Sequence, residues 1–61
     1  MKPKVKLIGE DGNALMLIAK CRQAMKEAEY STSEIDEITH RMMSGDYDHL
    51  LQVVVEEFEV E

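Results

Sequence analysis

Cysteine, proline, glycine and aromatic residues are all scarce in this chain of 61 residues. The single cysteine, Cys21, excludes an intrachain disulfide, and one proline and three glycines leave long stretches without helix breakers. No apolar run approaches the roughly 18 residues that a membrane span needs, and MKPKVKLIGEDG lacks the apolar core of a secretory signal. We expect one soluble, cytoplasmic domain, residues 1–61, with no membrane partner.

The first part of the chain has few acidic residues, and the second part has few basic residues. Residues 1–26 carry six Lys or Arg against two acids, a net charge of +4, whereas residues 27–61 carry Arg41 against eleven acids, a net charge of −10. One interpretation is a solvated surface whose two halves attract each other. The other is an acidic face that recognises a basic partner.

The longest helical signal runs from Asn13 to Tyr30. Its apolar residues recur at helical spacing and predict a wide buried face on a helix that ends near Glu29. One face carries Ala14, Ile18, Cys21, Met25 and Ala28, and Leu15, Leu17, Ala19 and Ala24 widen it. On this face a cysteine is expected to be a small buried hydrophobe rather than a reactive thiol.

The residues before this helix predict a strand and a turn. Residues 3–8, PKVKLI, alternate between lysines on one face and Val5 and Leu7 on the other. Gly9–Asn13 predicts a turn in which Asp11 or Asn13 caps the helix. Its sequence fits neither a phosphate loop nor a calcium loop, so we expect no cofactor there.

A second helix is predicted from Thr32. Ser31 and Glu34 have the spacing of a capping box, and Tyr30 and Ile35 that of a hydrophobic staple. The apolar face of this helix comprises Ile35, Ile38 and Met42, and its outer face Glu34, Asp36, Glu37 and Arg41. Gly45 is placed to end it as a left-handed cap. The acidic outer face argues against a helix-turn-helix DNA reader.

The last segment combines helical and strand signals. Asp46 is a candidate N-cap for a helix from Tyr47 to about Val55, and residues 57–60 alternate like a strand. Residues 52–56 fit either state, because Val53–Val55 is β-branched. A strand here would place its acids opposite the lysines of the first strand.

These elements predict an α+β domain in the order β-α-α-α-β. Its two-stranded sheet would be covered on one face by the three helices, with Val5, Leu7, Phe58 and Val60 facing them. The sequence leaves the relative strand direction open. Such a sheet has exposed edges that can take a further strand from a partner or a second copy.

The residue types that carry catalysis are few and lack the required spacing. The possible metal or acid–base groups are Cys21, His40, Asp46, Asp48 and His49, and they do not have paired zinc-ligand spacing. The serines at 31, 33 and 44 occupy cap and turn positions. We therefore expect no catalytic, metal or cofactor-binding residues and no enzymatic activity.

Four internal methionines are many for so short a chain. Met25 and Met42 fall on core faces, whereas Met16 and Met43 fall at the edges of theirs and suit an adaptable binding surface. The predicted partner-binding residues are Glu34, Asp36, Glu37 and Met43.

Three segments carry a resemblance: GEDGNA near the start, SGDYDHLL after the second helix and the EVE ending. With these the chain resembles a group of small uncharacterised bacterial proteins of phages and conjugative elements. The resemblance implies a cytoplasmic accessory protein of a mobile element, and it supplies no enzymatic residues to carry over.

Together these observations predict a non-enzymatic protein-interaction module. Its partner would be another protein or a second copy of itself, as a homodimer. The alternative is an acidic nucleic-acid mimic that occupies the DNA site of another protein. Direct nucleic-acid binding through Lys20, Arg22 and Lys26 is not expected, since the net charge is −6.

Overall fold

The computed structural model describes residues 2–6 and 14–61. The elements, in order, are β1 (Lys4–Val5), α1 (Ala14–Glu27), α2 (Thr32–Met42), α3 (Tyr47–Glu57) and β2 (Glu59–Val60). Helix α1 packs against β1, α3 packs against β2, and α2 packs against both other helices. The predicted α+β architecture and element order are confirmed. None of the described helices has the length and apolar character needed to cross a bilayer.

Part of the predicted N-terminal region lies outside the described residues. This applies to Leu7 and Ile8 of the predicted strand, and to the predicted turn Gly9–Asn13 with its helix cap.

One apolar core joins β1, the three helices and Phe58, which precedes β2. Its least exposed side chains come from the three helices: Cys21 and Met25 from α1, Met42 from α2, and Val53 and Val54 from α3. The core positions predicted for Cys21, Met25 and Met42 are confirmed. Leu15, predicted to widen the buried face of α1, is instead 73% exposed, because Leu17 takes the inward position on that turn.

Helix α1 ends with a left-handed residue that is not glycine. Glu29 has a φ of 65°, and its N–H donates to the carbonyl of Lys26, while the N–H of Tyr30 donates to that of Met25, both at 3.0 Å. These two bonds form a Schellman motif. They turn the chain so that Tyr30 packs against the core.

The predicted start of α2 is confirmed, but the predicted role of Gly45 at its end is wrong. The Ser31 hydroxyl accepts from the N–H of Glu34 at 3.1 Å, and the Glu34 carboxylate accepts from the N–H of Ser31 at 2.9 Å. Gly45 does not adopt the left-handed conformation; instead, a Cβ there would lie 2.9 Å from Cβ of His49. Close packing is therefore what favours glycine at this position.

Helix α3 is longer than predicted. It continues through residues 52–56 to Glu57, because Val53 and Val54 fill the core. The Asp46 carboxylate caps it as predicted, accepting from the N–H of His49 at 2.9 Å. At the other end, the N–H of Phe58 donates to the carbonyl of Val54 at 2.9 Å before the chain extends into β2.

The two strands run parallel. Lys4 lies opposite Glu59 and Val5 opposite Val60, as the charge pattern of the two ends predicts. Val5 and Phe58 are buried as predicted, but the buried position predicted for Val60 is wrong, since 41% of this residue is exposed. The described helix that packs against β2 is α3, and this packing leaves Val60 partly exposed.

Candidate protein-binding surfaces

The predicted acidic residues of α2 occupy different environments. Glu34 is engaged in the capping box, whose hydrogen bonds to the Ser31 backbone and side chain hold the pKa of this carboxyl below its ordinary value of 4.5. Asp36 lies 3.5 Å from a guanidinium nitrogen of Arg22 on α1. Glu37 forms no ion pair with any residue that the structure describes.

Glu34 and Glu37 line a groove of about 360 Å³ between α2 and α3, which we call the acidic groove. Its other lining residues are Tyr30, Ile38, Arg41 and Glu57. Arg41 donates to Glu57 at 2.9 Å and to Glu56 at 3.0 Å. One guanidinium therefore neutralises part of the acidic charge. The hydrogen bond to Glu57 is also the main reason that the pKa of Arg41 is raised.

Met43 lies in a separate, apolar groove where the three helices meet. This helix-junction groove has a volume of about 260 Å³ and is lined by Ala14, Leu15, Ile18, Met42, Met43, Gly45, Asp46, Tyr47 and Leu50. Met42 and Leu50 are buried core residues. Around them, Leu15 is 73% exposed, Met43 61% and Tyr47 38%.

The sequence identified Met43 but not the other exposed residues of the helix-junction groove. Leu15 matched the apolar period of α1 and was expected in its buried face. Tyr47 stands at the first position of α3, where a single aromatic residue carries little signal. Only the packing of the three helices brings these side chains together.

The predicted acidic residues and the predicted apolar residue therefore lie in different places. Glu34 and Glu37 share the acidic groove, Asp36 is paired with α1, and Met43 belongs to the helix-junction groove. Charge reversal at Glu34 would also remove a helix cap. Glu37 is therefore the better probe of the acidic groove.

His49, which the sequence offered as a possible metal or acid–base group, joins α3 to the end of α2. Its Nε2 lies 2.9 Å from the carbonyl oxygen of Arg41 and 3.2 Å from Oγ of Ser44. Since a carbonyl oxygen only accepts, Nε2 must carry the proton in that bond. This nitrogen then cannot take a proton from Ser44, so the pair is a structural link between helices.

The remaining candidate chemical groups are buried or dispersed. Burial raises the pKa of the Cys21 thiol to about 11, and this side chain is fully buried. Within residues 2–6 and 14–61, no group of three or more His, Cys, Asp or Glu could hold a metal ion.

Comparison of the chain with protein-family models, with curated protein sequences and with solved structures finds no match.

Proposed function

We propose that this chain is a cytoplasmic, non-enzymatic protein-binding module that contacts its partner through the helix-junction groove. The observation that supports this is the exposure of Leu15, Met43 and Tyr47 around an apolar floor. Exposed apolar side chains that are contiguous rather than scattered are typical of protein–protein contact sites. Methionine in addition adapts its shape to the surface it meets.

The size of the groove favours a side-chain anchor over a free small molecule. Its volume of about 260 Å³ is below the ~300–1,000 Å³ of ordinary ligand pockets. One large apolar side chain of a partner would fit into it, and Leu15, Met43 and Tyr47 would pack around that anchor. Buried anchors of this kind supply most of the energy of many interfaces.

The acidic groove would add an electrostatic contribution to binding of the partner. Glu37, which lines it, has no ion-pair partner among the described residues, so a basic side chain of the partner would meet an unneutralised carboxylate. We expect this contact to affect the association rate and its salt dependence more than the affinity.

Origin in a bacterial mobile element is part of the proposal and is supported by the sequence resemblance alone. The alternative, an acidic nucleic-acid mimic, needs a regular array of free carboxylates. Its support is weaker, because Arg41 pairs with Glu56 and Glu57 and Arg22 pairs with Asp36.

Affinity capture from a nuclease-treated bacterial lysate tests the proposal. The bait proteins are the parent chain, Met43→Glu, and the matched control Val55→Glu, whose valine is 64% exposed and lies outside the groove. We expect the parent and the control to retain the same protein and Met43→Glu to lose it. Equal retention by all three baits would contradict the assignment of the groove.

Two further measurements separate the possible partners. Sedimentation equilibrium of the parent and Met43→Glu shows whether the groove instead holds a second copy of the chain. Glu37→Lys should slow association with the captured protein at low ionic strength and leave the rate nearly unchanged at high ionic strength. Circular dichroism confirms that each variant keeps its fold.

A further inference from the structure

The outer edge of β2 carries backbone groups that no described strand pairs with. The N–H groups of Glu59 and Glu61 donate to the carbonyls of Pro3 and Val5, at 2.8 and 2.9 Å. Successive residues of a strand direct their N–H groups to opposite edges. The N–H of Val60 therefore points away from β1, toward an edge that no other described strand occupies.

This edge is also exposed. Among the described elements, β2 contacts β1 and α3 and neither of the other two helices. The side chain of Val60 is 41% exposed, and Glu59 and Glu61 on either side of it are exposed as well. An open edge of this kind is a template for a further strand.

The chain itself shows what pairs with β2. On the inner edge, Lys4 lies opposite Glu59 and Val5 opposite Val60. Opposite charges across strands stabilise the pairing, and like charges destabilise it. A strand added at the outer edge would lie beside the same sequence of Glu59, Val60 and Glu61.

From these observations we propose that the outer edge of β2 docks an extended segment of a partner protein in which Lys or Arg alternates with apolar residues. The partner's backbone would bond to Val60, and its basic side chains would lie near Glu59 and Glu61. A β2 edge from a second copy fits poorly, because it would set glutamates against glutamates.

This site is independent of the helix-junction groove. Val60, Glu59 and Glu61 do not line that groove, so a substitution at either site should leave the other intact. The two proposals can therefore fail separately.

A peptide titration followed by amide NMR tests the proposal. The probe is a capped synthetic peptide, KVKVK, and the control peptide is EVEVE. We expect KVKVK to shift the Val60 amide of the parent, while the Val5 amide stays protected in its pairing with β2. Met43→Glu should bind the probe as the parent does.

Two matched variants locate the contact. Val60→Pro removes the outward N–H and leaves the bonds to β1 in place, whereas Val60→Thr keeps that N–H and a β-branched side chain. We expect Val60→Pro to weaken binding about tenfold, which corresponds to about 1.4 kcal/mol, and Val60→Thr to bind like the parent. Protection of the Glu61 amide shows that β2 is still paired with β1.

A third variant tests the charges without touching the backbone. Glu59→Gln combined with Glu61→Gln should weaken binding of KVKVK and remove most of its salt dependence. Equal binding of EVEVE, full binding by Val60→Pro, or loss of protection at Val5 would overturn the proposal. Self-association of the parent that Val60→Pro abolishes would overturn the choice of partner.

Discussion

At the residue scale, the left-handed conformation of Glu29 is a cost that the fold carries. For a residue with a Cβ, the left-handed helical region is roughly 1–2 kcal/mol less favourable than the right-handed helical region. Glycine has no Cβ and avoids this cost. Glu29, with a φ of 65°, holds the position that glycine most often takes in a Schellman motif. The hydrogen bonds from Glu29 and Tyr30 to the end of α1 hold Glu29 in this conformation.

Glu29→Gly should therefore stabilise the protein. We expect the free energy of unfolding to rise by about 1 kcal/mol, because relief of the backbone strain exceeds the entropy lost by glycine. Urea denaturation measures the change. Glu29→Gln, which removes the charge but keeps the Cβ, is the control and should change stability little. An equal gain in both variants would assign the effect to charge instead.

The thiol of Cys21 should be unreactive in the folded protein. Its thiol is fully buried, and burial raises its pKa to about 11, so little thiolate forms at neutral pH and reagents cannot reach it. We expect an aromatic disulfide reagent to label the native protein only as fast as it unfolds. In urea, labelling should be rapid. Fast labelling under native conditions would show that the core around α1 is open.

At the scale of elements, the start of α2 depends on a titratable cap. Hydrogen bonds to Ser31 lower the pKa of Glu34 from 4.5 in the folded state, so folding favours the carboxylate. The resulting stability is present above pH 4.5 and is lost as the pH falls through the folded pKa. We expect the parent to be more stable than Glu34→Gln at neutral pH. In acid, the free energies of unfolding of the two proteins should become equal. Glu37→Gln, outside the capping box, is the control for denaturation across this range.

The junction of α2 and α3 depends on the absence of a side chain at residue 45. A Cβ on Gly45 would lie 2.9 Å from both Cβ and Cγ of His49, which is too close without displacement. Gly45→Ala should cost about 1–2 kcal/mol, as overpacking does. In a His49→Ala background the cost should fall in part, since the contact with Cγ is gone while the contact with Cβ remains. Equal costs in the two backgrounds, measured by urea denaturation, would contradict this explanation.

Elements with a local signal were predictable, and those that depend on distant contacts were not. The capping box placed the start of α2 correctly, because both of its bonds lie within four residues. The end of α3 was not predictable, since a run of valines suits a strand as well as a buried helix turn. The prediction for Gly45 is wrong because glycine suits both a left-handed backbone and close packing, and the sequence does not distinguish the two.

The candidate site shows the same division. Met43 could be found from its place at the edge of an apolar face. The helix-junction groove needs residues from three helices, and no local pattern links Leu15 to Tyr47. Likewise, the exposure of Val60 depends on which helices pack against β2, and no local pattern gives that.

At the scale of the whole molecule, the parallel sheet joins a basic start to an acidic end. The charge pattern predicted that these strands pair, because lysines and glutamates would then face each other. It did not predict their direction, since either direction permits such pairs. The observed register sets Lys4 opposite Glu59, and ion pairs of Arg22 and Arg41 with acids further along the chain add to this complementarity.

A charge exchange tests this register directly. Lys4→Glu and Glu59→Lys should each lower the free energy of unfolding by about 0.5 kcal/mol, because each sets like charges opposite one another. The double exchange should recover most of the loss, and the recovery should shrink at high ionic strength because both side chains are exposed. Urea denaturation of the four proteins in a double-mutant cycle measures the coupling. A Lys6→Glu variant, two residues further along the chain and just past β1, controls for net charge and should not be rescued by Glu59→Lys to the same extent. Equal rescue at residues 4 and 6 would mean that the strands attract through overall charge, without the register that sets Lys4 opposite Glu59.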